Sequence, residues 1–412
     1  MRLHFEIHGC ALNRGEGREL EEEAAARGHA IVAGAADADL TVLVTCTVVQ
    51  STENRMVARL RTLRKAGRRV AVTGCLAWAQ AELVRKVFPE ALPVPQRGGS
   101  SLLETLGEPG PGAVHHRPRE RAVDLAVDVP IADGCRGRCT YCITRLARCA
   151  LLSRPVEDVL ARTRTAVERG CREVRLAAQD SGLYGTDIGA GLPGLLEQIC
   201  RLPGDFRVRV GMMNPESLPP IMNRLMEAFQ NPKLFKFLHL PVQSGDDRVL
   251  ASMGRNYRAA DFPGLVRRFR EAFPLGLLAT DIIAGFPGED EHAFFRTLEL
   301  VEEARPDIIN MKAFSPRPGT PAFKLGPRAD RNEVRSRLRR LTALKRQLSL
   351  GNNRRFVGRL EKVLVAERAR KGAFLGRTEG YYPVLLPCAE PGTFIDVRIL
   401  EARAGYLVGE RA

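Results

Sequence analysis

Apolar, β-rich runs alternate with amphipathic stretches along most of the chain. Residues 3–7, 40–44 and 69–73 read as strands. Helices at 18–26 and 53–66 separate them, stopped by Gly28 and Gly67. From Val129 the alternation returns. Strands are expected at 130–133, 173–178, 207–213, 236–240, 277–284 and 308–313, with helices at 156–168, 192–201, 219–229, 261–272 and 291–303. Strand–helix alternation implies parallel sheets. Six units in roughly 190 residues predict an open, partial (βα)6 TIM-like barrel rather than a full eight.

The pattern changes after residue 325. Asp330-Arg331-Asn332-Glu333 reads as a capping box that opens a helix. Val334, Leu338, Leu341, Leu344 and Leu348 give that helix one apolar stripe, and Arg331, Arg335, Arg337, Arg339, Arg340, Lys345 and Arg346 decorate the rest. Short β-like runs at 360–366, 384–386, 394–400 and 406–408, punctuated by Gly and Pro, predict a small β-barrel. Residues 93–128 are glycine-rich, with one short helix expected at 101–106 and a paired His115-His116 of tail character. The organisation predicted is therefore α/β: an open parallel sheet (1–95), a linker (96–128), a central barrel (129–325), a basic connecting helix (326–351) and a small β-barrel (352–412).

Charge adds a partner. The 412 residues carry 63 Lys and Arg against 48 Asp and Glu, a net +15 that favours a polyanion, nucleic acid before membrane. No run of eighteen apolar residues is present, so no membrane span is expected. The first residues lack the apolar core of a signal peptide, which makes the cytoplasm the default expectation.

Cysteines bring the chemistry. Ten are too few for a disulfide scaffold, and clustered thiols in a reducing compartment read as metal or redox ligands. Cys135, Cys139 and Cys142 have C-x3-C-x2-C spacing. Three thiolates can hold three irons of a cubane [4Fe–4S] cluster and leave the fourth iron open to a substrate or cofactor. The alternatives are chance clustering and a zinc site, which needs a fourth ligand such as Cys149. Cys10, Cys46 and Cys75 each follow the carboxyl end of an expected strand. In an open parallel sheet those ends share one edge, so the three thiols converge, unless they are ordinary buried cysteines. Cys171, Cys200 and Cys388 read as isolated structural thiols. Polar groups also follow the central strands: Gln179-Asp180-Ser181, Asn214-Pro215-Glu216, His239 to Gly245, and Gly285 to Glu289.

The thiol loop, with Tyr141 before its last Cys, resembles the radical S-adenosylmethionine (SAM) signature. The following Ile143-Thr144-Arg145-Leu146-Ala147-Arg148 narrows the resemblance to the methylthiotransferases, in particular the archaeal and eukaryotic branch that modifies threonylcarbamoyladenosine in tRNA. Gly9-Cys10 with Asn13, Thr45-Cys46-Thr47-Val48 and Thr73-Gly74-Cys75 resemble the N-terminal domain of that family. The strand-end blocks resemble its central domain, and Gly376-Arg377-Thr378-Glu379-Gly380-Tyr381 resembles the RNA-binding TRAM barrel. Two departures stand out: Cys149 replaces the usual Gly after Ala-Arg, and Val44 replaces the usual Asn before Thr-Cys.

The resemblance implies two [4Fe–4S] clusters, one on Cys135, Cys139 and Cys142 that chelates and cleaves SAM, and an auxiliary one on Cys10, Cys46 and Cys75. It implies cofactor contacts at Tyr141 (backbone), Gln179, Asp180 and Gln243. It also implies an electron donor such as ferredoxin or flavodoxin, and a tRNA anticodon stem-loop as partner. Arg354, Arg355, Arg377 and Tyr381 are the expected RNA contacts, by phosphate pairing and base stacking; the tyrosines have the alternative of filling the barrel. The implied reaction converts threonylcarbamoyladenosine beside the anticodon to its 2-methylthio derivative. Alternatives are a methylthiotransferase acting on isopentenyladenosine in tRNA or on a ribosomal-protein aspartate, and a non-enzymatic metal-containing RNA-binding protein. The Ile143–Arg148 block and a tail with more Arg and Lys than Asp and Glu favour tRNA over a protein substrate.

Overall fold

The structure, a computed structural model, describes residues 1–94, 124–326, 329–369 and 372–412. The glycine-rich stretch from 98, the helix expected at 101–106 and His115-His116 lie outside the described residues.

The N-terminal unit is a five-stranded parallel sheet. Its strands are β1 (Arg2–Ile7), β2 (Ala30–Ile31), β3 (Leu40–Thr45), β4 (Val70–Gly74) and β5 (Leu92–Pro93), in the order β2-β1-β3-β4-β5. Every residue of β3 and β4 is buried, as befits central strands covered on both faces. The first helix, Ala11–Ala26, starts seven residues earlier than the sequence pattern suggests. Gly15 and Gly17 lower its helix propensity and hide it. Packing explains them: a Cβ at Gly15 would lie 2.6 Å from Pro130 Cδ, and one at Gly17 would lie 2.9 Å from Ile7.

The central unit joins two three-stranded parallel sheets. One contains β6 (Ala126–Pro130), β9 (Glu173–Ala177) and β10 (Arg207–Arg209). The short antiparallel pair β7 (Ala132–Asp133) and β8 (Leu152–Ser153) flanks the loop that follows β6. The other sheet contains β11 (Phe237–His239), β12 (Leu277–Ala284) and β13 (Ile308–Ala313). Backbone bonds from Phe235 N to Val208 O (3.0 Å) and from Met213 N to His239 O (2.9 Å) connect the two sheets. The result is a six-stranded open barrel. Its first strand, expected at 130–133, lies at Ala126–Pro130, partly inside the stretch assigned to the linker. Asp128, mid-strand, interrupts the apolar pattern because it pairs with Arg14 and Arg175. Both open edges are covered: helix Ala11–Ala26 packs on β6, and helix Arg331–Asn353 packs on β13.

Asp330 caps that second helix, accepting from Asn332 N at 2.8 Å. The capping box is only half made, because Glu333 pairs with Arg337 instead of reaching back. Arg337 is not a surface charge, as its place in the sequence suggested. It is buried against Glu289, at 2.8 Å, and Glu289 in turn accepts from Gly285 N at 2.6 Å.

The C-terminal unit is a closed five-stranded barrel of β14 (Leu360–Arg368), β15 (Phe374–Thr378), β16 (Pro383–Leu386), β17 (Phe394–Arg403) and β18 (Tyr406–Arg411). It docks on the amino ends of the central strands. Tyr381 OH donates to Glu173 at 2.7 Å, where β9 begins; Tyr382 OH donates to Asp307 at 2.7 Å, just before β13. Lys236 N, before β11, donates to Glu379 O at 2.9 Å. The cysteine loop of the central unit follows the opposite, carboxyl ends.

Arg337→Leu leaves Glu289 buried without its cation. The expected cost is about 3–5 kcal/mol in urea unfolding, and Glu289→Gln placed on top of it should recover most of the loss.

Candidate active site

The thiol loop is set by close backbone approaches. Gly134 has φ 74°, and a Cβ there would lie 2.0 Å from Ala150 O. Thr140 is held through its N to Met253 O (2.9 Å) and through its Oγ1 to Ser252 O (2.8 Å). Gly137 sits between two of the sulfurs: a Cβ there would be 3.3 Å from Cys135 Sγ and 3.7 Å from Cys139 Sγ. Burial pushes the Cys135 thiol up to about 11, and the charges of Cys139 and Cys142 add to the shift. Such thiols are neutral until a metal displaces the proton. Among the described residues no three His, Cys, Asp or Glu side chains are set to hold a single metal ion; a cubane distributes its thiolates over separate irons.

A buried hydrogen-bonded chain lies behind the loop. Arg255 donates to Tyr141 OH (2.7 Å) and to Asn214 Oδ1 (2.6 Å), and Asn214 Nδ2 donates to Asp180 Oδ2 (2.7 Å). Asp180 also accepts from Gly182 N, Asn214 N and Ser217 Oγ. It braces the Asn214 loop. The Arg255 role was not visible in the sequence, because this residue follows a short helix and not a strand end. Gln179 and Gln243 differ from Asp180. Each has a buried side-chain oxygen with no hydrogen-bond partner. An orphan of this kind costs about 1–3 kcal/mol. Gln243 also adopts φ 68°, a left-handed conformation rare outside Gly, held by its backbone bonds to Asp281 and Ile283.

The second set of thiols is gathered by Asn13, which is fully buried. Its Nδ2 donates to His8 O and Thr45 O, both at 2.9 Å, and its Oδ1 lies 3.9 Å from Cys75 Sγ. One side chain thus ties the loops of Cys10, Cys46 and Cys75. Gly74, at φ 87°, permits the approach of two of them; a Cβ there would meet Thr45 O at 2.4 Å. Burial pushes Cys75 up to about 12 against the pull of Arg148, and burial raises Cys46 as well. Val44 is an apolar core residue of β3.

Arg148 joins the two thiol sets. It is fully buried. It grips Glu16 of the first helix with two bonds of 2.6 Å, Asn13 Oδ1 at 2.7 Å, and Asp133, two residues before Cys135, at 2.7 Å. Its guanidinium also stacks 5.1 Å from the ring of Trp78. Cys149, next in sequence, has φ 49°, which gives a physical reason for a Gly there and leaves its own thiol exposed. A second buried arginine, Arg317, donates to Thr47 Oγ1 and Gln50 Oε1 at 2.9 Å and pairs with Glu53, beside Cys46.

Of the expected RNA contacts, Tyr381 is taken up by packing, whereas Arg354 and Arg355 are exposed. Tyr381 is wedged against Phe235 and Phe237, with ring centroids 4.8 and 5.0 Å away, and is not available to stack on a base. Arg377 lies over the Tyr381 ring at 5.0 Å, and Arg355 turns inward to Tyr382 OH and Asn352 O. Tyr381 and Arg355 hold the barrel to the central unit, through the apolar ring cluster and through Glu173, Asp307 and Pro274 O.

An open (βα)6 barrel, a C-x3-C-x2-C loop at its carboxyl ends and an appended β-barrel define a radical SAM enzyme with a TRAM domain. The family models agree: Radical SAM superfamily at 129–301, Uncharacterized protein family UPF0004 at 2–94, and TRAM domain at 354–411. The chain is 36% identical to the probable threonylcarbamoyladenosine tRNA methylthiotransferase of Pyrococcus horikoshii, over 100% of this chain and 99% of that one. It is 35% identical to the threonylcarbamoyladenosine tRNA methylthiotransferase of Drosophila melanogaster, over 99% and 77%. Among solved structures, the fold resembles the radical SAM methyltransferase TsrM of Kitasatospora setae, with TM-score 0.57, 15% identity and coverage of 78% and 76%. It also resembles OxsB, a cobalamin-dependent SAM radical enzyme, with TM-score 0.53, 11% identity and coverage of 84% and 56%. The chain belongs to the threonylcarbamoyladenosine tRNA methylthiotransferase family.

Membership brings a [4Fe–4S] cluster and SAM as cofactors. The residues present fit them: the thiols of Cys135 and Cys139 flank Gly137, that of Cys142 is close enough to act on both, and the orphaned oxygens of Gln179 and Gln243 would be acceptors for a bound donor.

Arg148→Gln leaves Glu16 and Asp133 facing each other in a desolvated site. Its expected cost is about 3–5 kcal/mol, seen as a lower urea midpoint for the anaerobically purified protein.

Proposed function

We propose that the chain converts threonylcarbamoyladenosine beside the anticodon of cytoplasmic tRNA to its 2-methylthio derivative. The observation that carries the reading is the pairing of two three-thiol sets on either side of one buried arginine, Arg148. A single radical cluster needs only one such set. The second, Cys10, Cys46 and Cys75, is suited to an auxiliary [4Fe–4S] cluster as the source or binder of sulfur. The names of the archaeal and insect relatives support the substrate.

The target carbon is an unactivated aromatic C–H, which no side-chain acid or base can open, so the bound cofactors supply the radical chemistry. The chain supplies placement. Cys135, Cys139 and Cys142 hold the radical cluster. The Tyr141 backbone, Gln179 and Gln243 orient SAM. Asp180 and Asn214 fix Arg255, a buried cation beside Cys139. Helix Ala11–Ala26, docked on β6, sets the distance between the two thiol sets. The TRAM barrel contacts RNA, and an external one-electron donor such as ferredoxin or flavodoxin completes the cycle.

Iron and sulfide analysis with low-temperature EPR tests this. The anaerobic parent should carry about eight irons and a Cys135/Cys139/Cys142→Ala variant about four, with a SAM-shifted signal in the parent alone. One zinc and no cluster in the parent would overturn the radical reading.

A further inference from the structure

The TRAM barrel and the radical site lie at opposite ends of the central strands. An RNA held by both must therefore cover the depth of the barrel, and a long helix that also reaches the TRAM barrel spans that depth. Helix Arg331–Asn353 begins at the carboxyl-end rim. A Cβ at Gly285, one residue past β12, would lie 2.4 Å from Val334 Cγ2, and the neighbouring Phe286 ring stands 6.3 Å from that of Tyr141. The helix ends at the TRAM barrel, where Asn353 donates to Arg403 O at 2.7 Å and Ser349 Oγ accepts from Gly405 N at 3.0 Å. Its 23 residues amount to about 35 Å.

The charges on this helix divide into two classes. Arg337 and Arg340 are taken up by Glu289, Glu333 and Glu291. Arg331, Arg335, Arg339 and Arg346 are exposed, and no ion pair joins any of them to a carboxylate among the described residues. At 3.6 residues per turn these four fall within an arc of about 80°, on the side opposite buried Leu341, Leu344 and Leu348. Arg331, Arg335 and Arg339 follow one another at steps of about 6 Å along the axis. Four guanidinium forks in a row, none closed into an ion pair and only Arg331 with a neighbouring carboxylate, that of Asp330, complement a phosphate backbone.

We propose that the outer face of this helix, at Arg331, Arg335, Arg339 and Arg346, is a track for the RNA backbone that guides the anticodon stem from the TRAM barrel to the radical site. The proposal rests on tRNA being the substrate. It adds the helix to the RNA contact and removes Tyr381, which the barrel docking consumes. Phosphate contacts position a nucleic acid without reading its sequence, so the track serves any tRNA that the TRAM barrel admits.

The test is binding of a fluorescent tRNA transcript to full-length, cluster-loaded protein without SAM or reductant, across a salt series. Arg331, Arg335, Arg339 and Arg346 are replaced together by Gln, and in a second variant by Lys. The Gln variant should keep the parent's iron content, bind at least tenfold more weakly, and show a salt slope shallower by about three. The Lys variant should keep the parent's slope. A Gln variant with the parent's affinity and slope would overturn the track while leaving the tRNA reading in place. A parent that binds no tRNA would overturn both. Binding to anionic vesicles or polyglutamate that depends on these arginines, with no effect of the substitutions on tRNA, would reassign the face to another partner.

Discussion

Arg148 brings a full positive charge into a place with almost no solvent, and the arrangement of the enzyme around it makes that charge tolerable. Its guanidinium is shared by Glu16 and Asn13 from the N-terminal unit and by Asp133 from the central one. A buried pair of this kind adds little net stability compared with apolar packing, but breaking it is costly. What it provides is position. The same Asn13 that accepts from Arg148 holds the loops of Cys10, Cys46 and Cys75, and the same Asp133 leads into Cys135. The two thiol sets cannot drift apart without stranding charge. Arg317 and Arg337 repeat the device, one joining the central unit to the Cys46 loop, the other joining the connecting helix to the β12 rim. These three arginines head the largest fully buried side chains among the described residues.

The consequence is a division of the central barrel into two ends. Its carboxyl ends face the N-terminal unit and hold the thiols, the orphaned amides of Gln179 and Gln243, and the strained Gln243 backbone. Its amino ends are closed by the TRAM barrel through an aromatic and carboxylate contact. The thiol loop and the TRAM barrel are thus separated by the length of a strand layer, with the helix Arg331–Asn353 connecting them.

Much of this was legible from pattern. Strand–helix alternation gave the parallel units; the spacing of Cys135, Cys139 and Cys142 and the strand-end positions of Cys10, Cys46 and Cys75 singled out the candidate site. The missing parts have physical causes. Charge inside secondary structure hid elements: Asp128 masked β6, because its partners Arg14 and Arg175 come from distant segments. Glycine hid the start of the first helix, where close packing requires it. Arg148 stood in a recognisable block, yet nothing local says that its partners are Glu16, Asn13 and Asp133. Arg337 looked like one more surface charge on a basic helix. Tyr381 looked exposed because the rings of Phe235 and Phe237 that cover it lie in another unit. Pairing over long sequence separations carries no periodic signal, and buried arginines depend on it entirely.

The most direct measurement of the central claim is nucleoside mass spectrometry of threonylcarbamoyladenosine-containing tRNA after incubation with reduced enzyme and SAM. The account requires both thiol sets, so the 2-methylthio nucleoside should form with the parent and vanish with Cys46→Ala, while SAM cleavage persists in that variant. Full methylthio product from the Cys46→Ala enzyme would contradict it.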